Sequence, residues 1–216
     1  MSSKSRVNRR VFLQTIAVSA AAVAVGTGGA FAARRGTVST PDIPVPADQW
    51  NLPFLHGVAS GDPLPDRVVL WTRVTPSREA LPGSGLGEDV ELEWQIDTSE
   101  DFGNPQTGTV TTSADSDHTV HVDVSGLEPD TVYYYAFTVA NGPHEGAASP
   151  LGRTKTAPAG HVDRQRWAVA SCANWESGFF TAYQDMAARA WAGELDLTVF
   201  LGDYIYEYAQ YEYAGY

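Results

Sequence analysis

Two short apolar runs flank a segment with helical periodicity, and this arrangement constrains the local fold more than any other feature of the chain. The runs are Trp167-Ala168-Val169-Ala170 and Leu197-Thr198-Val199-Phe200-Leu201, and runs of this length predict buried strands. From about Gly178 to Trp191 the apolar residues recur at three- and four-residue spacing, and Gly193 is a natural helix stop. A strand, a helix and a strand within so short a span predict a βαβ unit with parallel strands.

Residues that can bind a cation follow both predicted strands. Cys172 is the only cysteine and comes just after the first strand, while Asp203 closes the second. Parallel strands bring their carboxyl ends to one edge of a sheet, so these side chains are expected to be neighbours. If Asp203 begins a turn of helix, Tyr206 lies three residues on and points the same way. A thiolate, a carboxylate and a phenolate repel one another, so their grouping predicts a highly charged metal ion among them.

Cys172 has two other interpretations. A lone cysteine is often a small buried hydrophobic residue, although a position facing Asp203 favours a metal ligand. A nucleophilic thiol needs a histidine base nearby, and no histidine follows His161 in the sequence. A single cysteine also excludes an intrachain disulfide.

Three motifs in this region carry a resemblance to a known family: Ala170-Ser171-Cys172, Gly178-Phe179-Phe180-Thr181-Ala182-Tyr183 and Leu201-Gly202-Asp203-Tyr204-Ile205-Tyr206-Glu207-Tyr208. Together they resemble the start of the catalytic domain of the alkaline phosphatase D (PhoD-like) family, which are calcineurin-like metallophosphatases. In that family the matching cysteine, aspartate and second tyrosine bind ferric iron, and the aspartate also bridges to calcium. The resemblance therefore implies that Cys172, Asp203 and Tyr206 bind Fe(3+), with Ca(2+) alongside.

The N-terminus has the pattern of an export signal. Arg9 and Arg10 stand directly before a Val-Phe-Leu sequence, and this resembles the twin-arginine motif. A moderately apolar stretch over residues 15–30 follows, and a small-residue cleavage site lies between Ala32 and Ala33. We therefore predict export by the twin-arginine translocase. An uncleaved membrane anchor is the alternative, but serine, threonine and glycine residues interrupt the apolar stretch.

The charge balance excludes one class of partner. Residues 1–32 hold 4 of the 14 basic residues and none of the 26 acidic residues, so residues 33–216 carry a formal net charge of −16. A chain this acidic is not expected to bind nucleic acid without regard to sequence. It also repels phosphate at long range, so a phosphate site must be locally positive, and a bound metal ion is the obvious source.

The central part of the chain has the pattern of an all-β domain. Seven short runs separated by turn signals fit an immunoglobulin-like or fibronectin type III sandwich. The segment Gly126–Tyr133 resembles the corner of fibronectin type III domains in which a tyrosine hydroxyl bonds to the upstream backbone, with Tyr133 in that role. Trp71 and Trp94 are the expected core aromatics. The predicted strands are 54–60, 66–74, 90–98, 107–112, 119–125, 131–140 and 150–156, and the first predicted turn is Gly61-Asp62-Pro63.

The histidines of this region receive no metal role. His118 and His121 lie three apart on a presumed strand, so they point to opposite faces and are poor partners for one metal ion. We expect both to be surface residues or to have their hydrogen bonds satisfied. The segment His56–Pro63 matches the opening of the family's N-terminal domain, which supports the fold without assigning a role to His56.

The predicted architecture is multidomain, in the order that the family also has. About fifty residues follow Trp167, too few to bury the core of a layered α/β domain. We therefore expect an amino-terminal fragment of a longer enzyme, with further metal ligands and catalytic residues beyond Tyr216. The predicted parts are a signal peptide (1–32), a linker (33–51), an all-β sandwich (52–157), a second linker (158–166), and the start of an α/β calcineurin-like metallophosphatase domain, one βαβ unit long (167–216).

The function implied by the resemblance is a secreted, metal-dependent alkaline phosphatase or phosphodiesterase. Its substrate would be a phosphate mono- or diester, its location secreted, periplasmic or cell-wall associated, and its state monomeric. An exported β-sandwich binding module without catalysis and a phospholipase D-type phosphodiesterase are the alternatives. The tyrosines at 204, 208, 211 and 213 either line a substrate entrance or are ordinary packing residues.

Overall fold

The computed structural model describes residues 52–174 and 180–206, and seven of its strands form two antiparallel sheets. The sheet orders are β1-β2-β5 and β4-β3-β6-β7, which confirms the predicted sandwich. In immunoglobulin constant domains the fourth strand belongs to the first sheet, whereas here β4 pairs with β3, as in fibronectin type III domains. The strands are β1 (Val58–Leu64), β2 (Arg67–Arg73), β3 (Val90–Asp97), β4 (Gln106–Thr112), β5 (Thr119–Ser125), β6 (Val132–Val139) and β7 (Gly152–Lys155).

The core of the sandwich lies between the two sheets. Leu70 of β2, Leu92 and Ile96 of β3, and Phe137 of β6 are at most 2% exposed. Successive side chains of a strand point to opposite faces, so every second residue enters this core. Tyr135 packs its ring edge-to-face against Phe137, with 6.4 Å between the ring centroids.

Only one of the two tryptophans predicted for the core packs against it. Trp94 has the same phase as Leu92 along β3 and lies partly buried against the core. A Cβ atom added at Gly108 on the paired strand would lie 2.6 Å from the Trp94 ring. The prediction for Trp71 was wrong, because it is out of phase with the buried Leu70 and is only partly buried. Strand phase, more than side-chain size, decides which tryptophan is inside.

The first predicted turn was also wrong. Gly61-Asp62-Pro63 lies within β1, an edge strand that pairs with β2 and shifts register between Gly61 and Leu64. Proline has no N–H group to donate, so it is tolerated on an edge strand and at such irregularities. The turn-like composition therefore marks a register shift, and the chain reverses only after Leu64.

His118 is neither a surface residue nor fully hydrogen-bonded, contrary to the expectation from the sequence. It lies just before β5 and is 1% exposed, while His121 on that strand is exposed. His118 Nε2 lies 2.9 Å from the Leu86 carbonyl oxygen, and Nδ1 has no hydrogen-bond partner among the described residues. The two histidines do point to opposite sides, but His118 is a buried residue with only one of its nitrogens satisfied.

The predicted corner tyrosine is confirmed, and it yields a stability prediction. The Glu128 backbone N–H donates to the Tyr133 hydroxyl at 2.8 Å, and Tyr133 is 7% exposed. Tyr133→Phe should lower the free energy of unfolding by about 1–2 kcal/mol, because it leaves that N–H without its partner. Urea denaturation followed by tryptophan fluorescence measures the change. Tyr204→Phe is the matched control, because Tyr204 is 76% exposed, and an equal loss in both variants would contradict the prediction.

The predicted βαβ unit follows the sandwich. Strands β8 (Trp167–Ala170) and β9 (Leu197–Phe200) pair in parallel, with helix α1 (Thr181–Trp191) between them in sequence. The helix terminates before Gly193, whose φ of +71° suits the left-handed residue that ends many helices. No helix within the described ranges is long and apolar enough to cross a membrane.

The expectation that both of these strands are buried was wrong. Phe200 of β9 contacts Tyr183 of α1, with 6.2 Å between the ring centroids, so the helix covers that face of the sheet. Trp167 and Val169 alternate to the other face and are 56% and 58% exposed. Within the described residues, α1 covers only one face of the two-stranded sheet. The predicted signal peptide and the linker over residues 33–51 lie outside the described residues.

Candidate metal centre

Backbone hydrogen bonds extend the parallel pairing beyond β8 and β9 and hold the two following loops together. Each loop leaves its strand at the carboxyl edge, where parallel sheets commonly bind ligands. Tyr206 also forms an isolated parallel bridge with Asn174. The bonds run from Leu201 N to Ala170 O (2.8 Å), Cys172 N to Gly202 O (3.3 Å), Ala173 N to Asp203 O (3.1 Å) and Tyr206 N to Ala173 O (2.8 Å).

Both loops turn through residues with unusual backbone conformations. Cys172 has a φ of +60° and Asp203 a φ of +46°. Residues other than glycine adopt this left-handed region infrequently, and such outliers are concentrated at functional sites. After each strand, the residue predicted to bind metal therefore has a left-handed backbone conformation.

The structure brings together the three residues predicted as metal ligands, and we call them the Cys-Asp-Tyr cluster. Cys172 Sγ donates to Asp203 Oδ2 at 3.4 Å, and the Tyr206 hydroxyl donates to the same oxygen at 2.5 Å. The Tyr206 hydroxyl also lies 3.7 Å from Cys172 Sγ. The expected helical turn at Asp203 is absent, because residues 203–205 adopt no helix. Pairing between the two loops, instead of helical spacing, places Tyr206 beside Asp203.

The electrostatics of the cluster follow from these contacts. The hydrogen bond to the Asp203 carboxylate raises the pKa of Tyr206 above its ordinary value, and the contact with Cys172 adds to the effect. Loss of the phenol proton would leave two oxygen anions in contact, which a cation between them would stabilise. Hydrogen bonds from the Cys172 thiol and the Tyr206 phenol therefore join these two side chains to the Asp203 carboxylate.

The donor set fits a transition-metal ion. One sulfur and two kinds of oxygen donor meet within hydrogen-bond distance of one another, and thiolate and phenolate suit iron far better than calcium. In the two described segments, no group of three or more histidine, cysteine, aspartate and glutamate residues is placed to hold a metal ion. The third donor of the Cys-Asp-Tyr cluster is a tyrosine, which is not one of those four residue types.

An open apolar groove adjoins the Cys-Asp-Tyr cluster. Its volume is about 630 Å³, and Ala173 and Ile205, neighbours of the cluster in sequence, contribute to its lining. Tyr204 also lines it and packs on Phe200 at 5.0 Å between ring centroids, although Tyr204 is largely exposed. An apolar surface therefore lies beside the two loops that carry the cluster.

The remaining sequence-based predictions for site residues fall outside the structure. The twin-arginine pair Arg9 and Arg10, the cleavage residues Ala32 and Ala33, and the tyrosines at 208, 211 and 213 all lie outside the described residues. They stay predictions.

Sequence reasoning missed one participant in the arrangement. Asn174, two residues after Cys172, bridges to Tyr206 and closes the extended pairing between the two loops. A backbone bridge of this kind leaves no mark on residue type, so the sequence carries no signal for it.

Comparison with known proteins places these observations in a family. Residues 38–158 match the family described as "PhoD-like phosphatase, N-terminal domain", and residues 167–215 match "PhoD-like phosphatase". Alkaline phosphatase D of Bacillus subtilis (strain 168) is 46% identical over 169 residues, which cover 76% of this chain and 27% of that protein. A solved structure described as "Structure of PhoD" superposes with a TM-score of 0.63 at 45% identity, covering 73% of this chain and 29% of the other. The chain thus spans little more than a quarter of each relative, and it belongs to the PhoD-like phosphatase family.

Proposed function

We propose that this chain forms the amino-terminal part of a metal-dependent phosphoric ester hydrolase that acts on phosphate mono- and diesters. One observation carries the proposal: Cys172, Asp203 and Tyr206 converge at the carboxyl edge of a parallel strand pair. Membership of the PhoD-like phosphatase family supports phosphate ester hydrolysis as the reaction class. The βαβ unit is, in this proposal, the start of a calcineurin-like α/β domain.

The three side chains have distinct roles in the proposed site. Cys172 as a thiolate and Tyr206 as a phenolate would hold Fe(3+), because both donors suit a small trivalent ion. Asp203 contacts both of them through Oδ2, so its carboxylate also orients the other two donors. Oxygen-only coordination suits Ca(2+), so the Asp203 carboxylate is the group in the cluster that can extend to it.

A bound metal ion would also supply the positive charge that phosphate binding requires in this acidic chain. Residues 33–216 carry a net charge of −16, which repels a phosphate ester at long range. When bound, the metal ions supply positive charge for phosphate oxygens and acidify a water molecule for attack on phosphorus. Further ligands and catalytic groups come from chain that the relatives carry beyond the matched part, so we expect the 216 residues alone to be inactive.

Export by the twin-arginine route belongs to the same proposal. Arg9 and Arg10 before a Val-Phe-Leu sequence support it, with cleavage between Ala32 and Ala33. This route carries folded proteins, so iron can be inserted inside the cell before the protein meets competing metals outside. The mature protein is then secreted, periplasmic or cell-wall associated, and we propose that it is monomeric.

Metal analysis of a purified protein that carries this chain together with the rest of a PhoD-like phosphatase domain tests the proposed site. We expect about one iron per molecule and a visible absorption band from charge transfer between phenolate or thiolate and Fe(3+). The combined substitutions Cys172→Ser, Asp203→Ala and Tyr206→Phe should remove both the iron and the band. The control changes three similar residues away from the cluster, Ser125→Ala, Asp185→Ala and Tyr134→Phe. If the first variant keeps its iron and the same band, the cluster is not the metal site and the proposal fails.

A further inference from the structure

A second polar cluster lies at the opposite end of β8 and β9 from Cys172. Asp196 directly precedes β9, and Arg166 directly precedes β8. The Asp196 backbone N–H donates to the Arg166 carbonyl, and the Arg166 N–H donates to Asp196 Oδ2, both at 2.8 Å. Lys155 Nζ donates to the other carboxylate oxygen, Oδ1, at 2.8 Å. One carboxylate therefore joins the amino ends of both strands to a lysine of the sandwich.

The hydrogen bonds between Asp196 and Arg166 fix how β8 and β9 are aligned. From Trp167 opposite Leu197 to Ala170 opposite Phe200, the pairing is continuous, and it carries on into the loops that hold the Cys-Asp-Tyr cluster. A slip of one residue reverses which face each side chain occupies. The alignment set at the amino ends therefore decides whether Cys172 faces Asp203 at the other end.

Two residues of β7, the last strand of the sandwich, contact the βαβ unit. Arg153 and Lys155 are two residues apart on β7, so they lie on the same face of the strand. Arg153 Nη1 donates to the Ala190 carbonyl oxygen in the last turn of α1 at 2.9 Å. Lys155 Nζ also pairs with Asp130 at 2.7 Å. Two cationic side chains of β7 thus contact the helix and the strand pair of the βαβ unit.

Partial burial and opposite charge stabilise the contact between Lys155 and Asp196. The side chains of Lys155 and Asp196 are 24% and 26% exposed, so solvent screens this pair less than a surface pair. The hydrogen bond from Lys155 lowers the pKa of Asp196, and the bonds to Asp130 and Asp196 raise the pKa of Lys155. Both groups therefore stay ionised around neutral pH. By contrast, the Arg67 pair with Asp123 joins side chains that are 40% and 55% exposed.

We propose that Lys155 and Asp196 are positioning residues for the metal centre: they fix the alignment of β8 against β9, and so hold Cys172 against Asp203 and Tyr206. The β-sandwich is then part of the scaffold of the site, beyond being a domain that precedes it. The alignment role stands on the contacts described here, and its relevance to metal rests on the proposed function.

Amide hydrogen exchange in the metal-free 216-residue chain tests the alignment role. Lys155→Met and Asp196→Asn should each speed exchange at the Cys172, Ala173 and Leu201 amides about tenfold, since they remove a charge-assisted hydrogen bond. Lys155→Arg should remain close to wild type because it keeps the charge and a donor. Arg67→Met, which removes an exposed pair in the sandwich, should leave these amides unchanged. Wild-type rates in Lys155→Met and Asp196→Asn would overturn the proposal, and so would equal acceleration at the Leu92 and Phe137 amides of the core.

A titration with Fe(3+) separates this proposal from the proposed function, with the same variants placed in a protein that carries this chain together with the rest of a PhoD-like phosphatase domain. If the unsubstituted protein binds Fe(3+), Lys155→Met should weaken binding about tenfold, in step with exchange at the cluster. If the unsubstituted protein binds none while exchange responds as expected, the metal function fails and the alignment role stands. If the unsubstituted protein binds Fe(3+) and neither exchange nor affinity responds to the variants, the alignment role fails and the metal function stands.

Discussion

Replacing Asp203 with alanine should lower kcat by at least about a thousandfold in a protein that carries this chain together with the rest of a PhoD-like phosphatase domain. Asp203 Oδ2 accepts hydrogen bonds from both Cys172 and Tyr206, so its loss removes one proposed metal ligand and the group that orients the other two. Replacing Cys172 or Tyr206 alone should lower kcat less, because each of these variants leaves the Asp203 carboxylate in place. Steady-state hydrolysis of a phosphate mono- and a diester, with metal content measured on the same samples, gives the comparison.

Asp163→Ala is the control for that experiment. The Asp163 side chain is fully exposed, and its partner in an ion pair is the exposed His161 at 3.6 Å. Its replacement should leave kcat and metal content at wild-type values. An Asp203→Ala protein that kept its metal and a kcat within tenfold of wild type would show that the carboxylate has no part in the reaction. Hydrolysis of only one of the two substrates by the unsubstituted protein would separate monoester from diester hydrolysis.

Leu92→Ala should lower the free energy of unfolding of the sandwich by about 2–5 kcal/mol, a large part of the roughly 5–15 kcal/mol typical of a domain. Leu92 lies on β3 in the middle of the core and is fully buried. Truncation removes buried apolar surface and leaves a cavity that close-packed neighbours fill only in part. The midpoint of urea denaturation, followed by tryptophan fluorescence, measures the loss.

Leu64→Ala provides the same chemical change at an exposed position. Leu64 ends the edge strand β1 and is 50% exposed, so its replacement should cost about 0.5 kcal/mol or less. The ratio between the two losses is the informative quantity, because both variants remove the same atoms. Similar losses would mean that the core does not lie between the sheets at Leu92.

The strands of the sandwich could be predicted from local pattern, and the errors have local causes. The strand over residues 119–125 was predicted at its observed bounds, because its alternation is regular and clear turns flank it. The strand over residues 54–60 was displaced, since Pro63 marks a register shift in β1 where a turn was expected. Trp71 was predicted to be a core aromatic, although the buried Leu70 beside it fixes the opposite phase.

The Cys-Asp-Tyr cluster could be predicted for a reason that does not depend on the details of the loops. Parallel strands bring their carboxyl ends together, and this alone makes Cys172 and Asp203 neighbours. The position of Tyr206 was predicted from a helical turn at Asp203, which the structure does not contain. Instead, the Tyr206 backbone N–H donates to the Ala173 carbonyl oxygen and holds Tyr206 beside the other loop. A tyrosine three residues after Asp203 reaches the cluster by either route.

The contacts between the sandwich and the βαβ unit could not be predicted. Lys155 and Asp196 are 41 residues apart, and neither lies in a motif that signals a partner. The same holds for Tyr134 and Trp191, whose rings meet edge-to-face at 6.4 Å. Contacts between distant segments depend on how the two parts pack, and the composition of a single sequence does not encode that packing in a readable form.

Locating the metal in the iron-loaded protein tests the central claim most directly. A crystal structure with anomalous scattering measured at the iron absorption edge gives that position without assumptions about activity. We predict a peak about 2.3 Å from Cys172 Sγ and about 2 Å from the Asp203 carboxylate and the Tyr206 hydroxyl oxygen, as is usual for transition-metal bonds to thiolate and oxygen donors. Iron bound elsewhere on the acidic surface, with the Cys-Asp-Tyr cluster still joined by its own hydrogen bonds, would contradict the account.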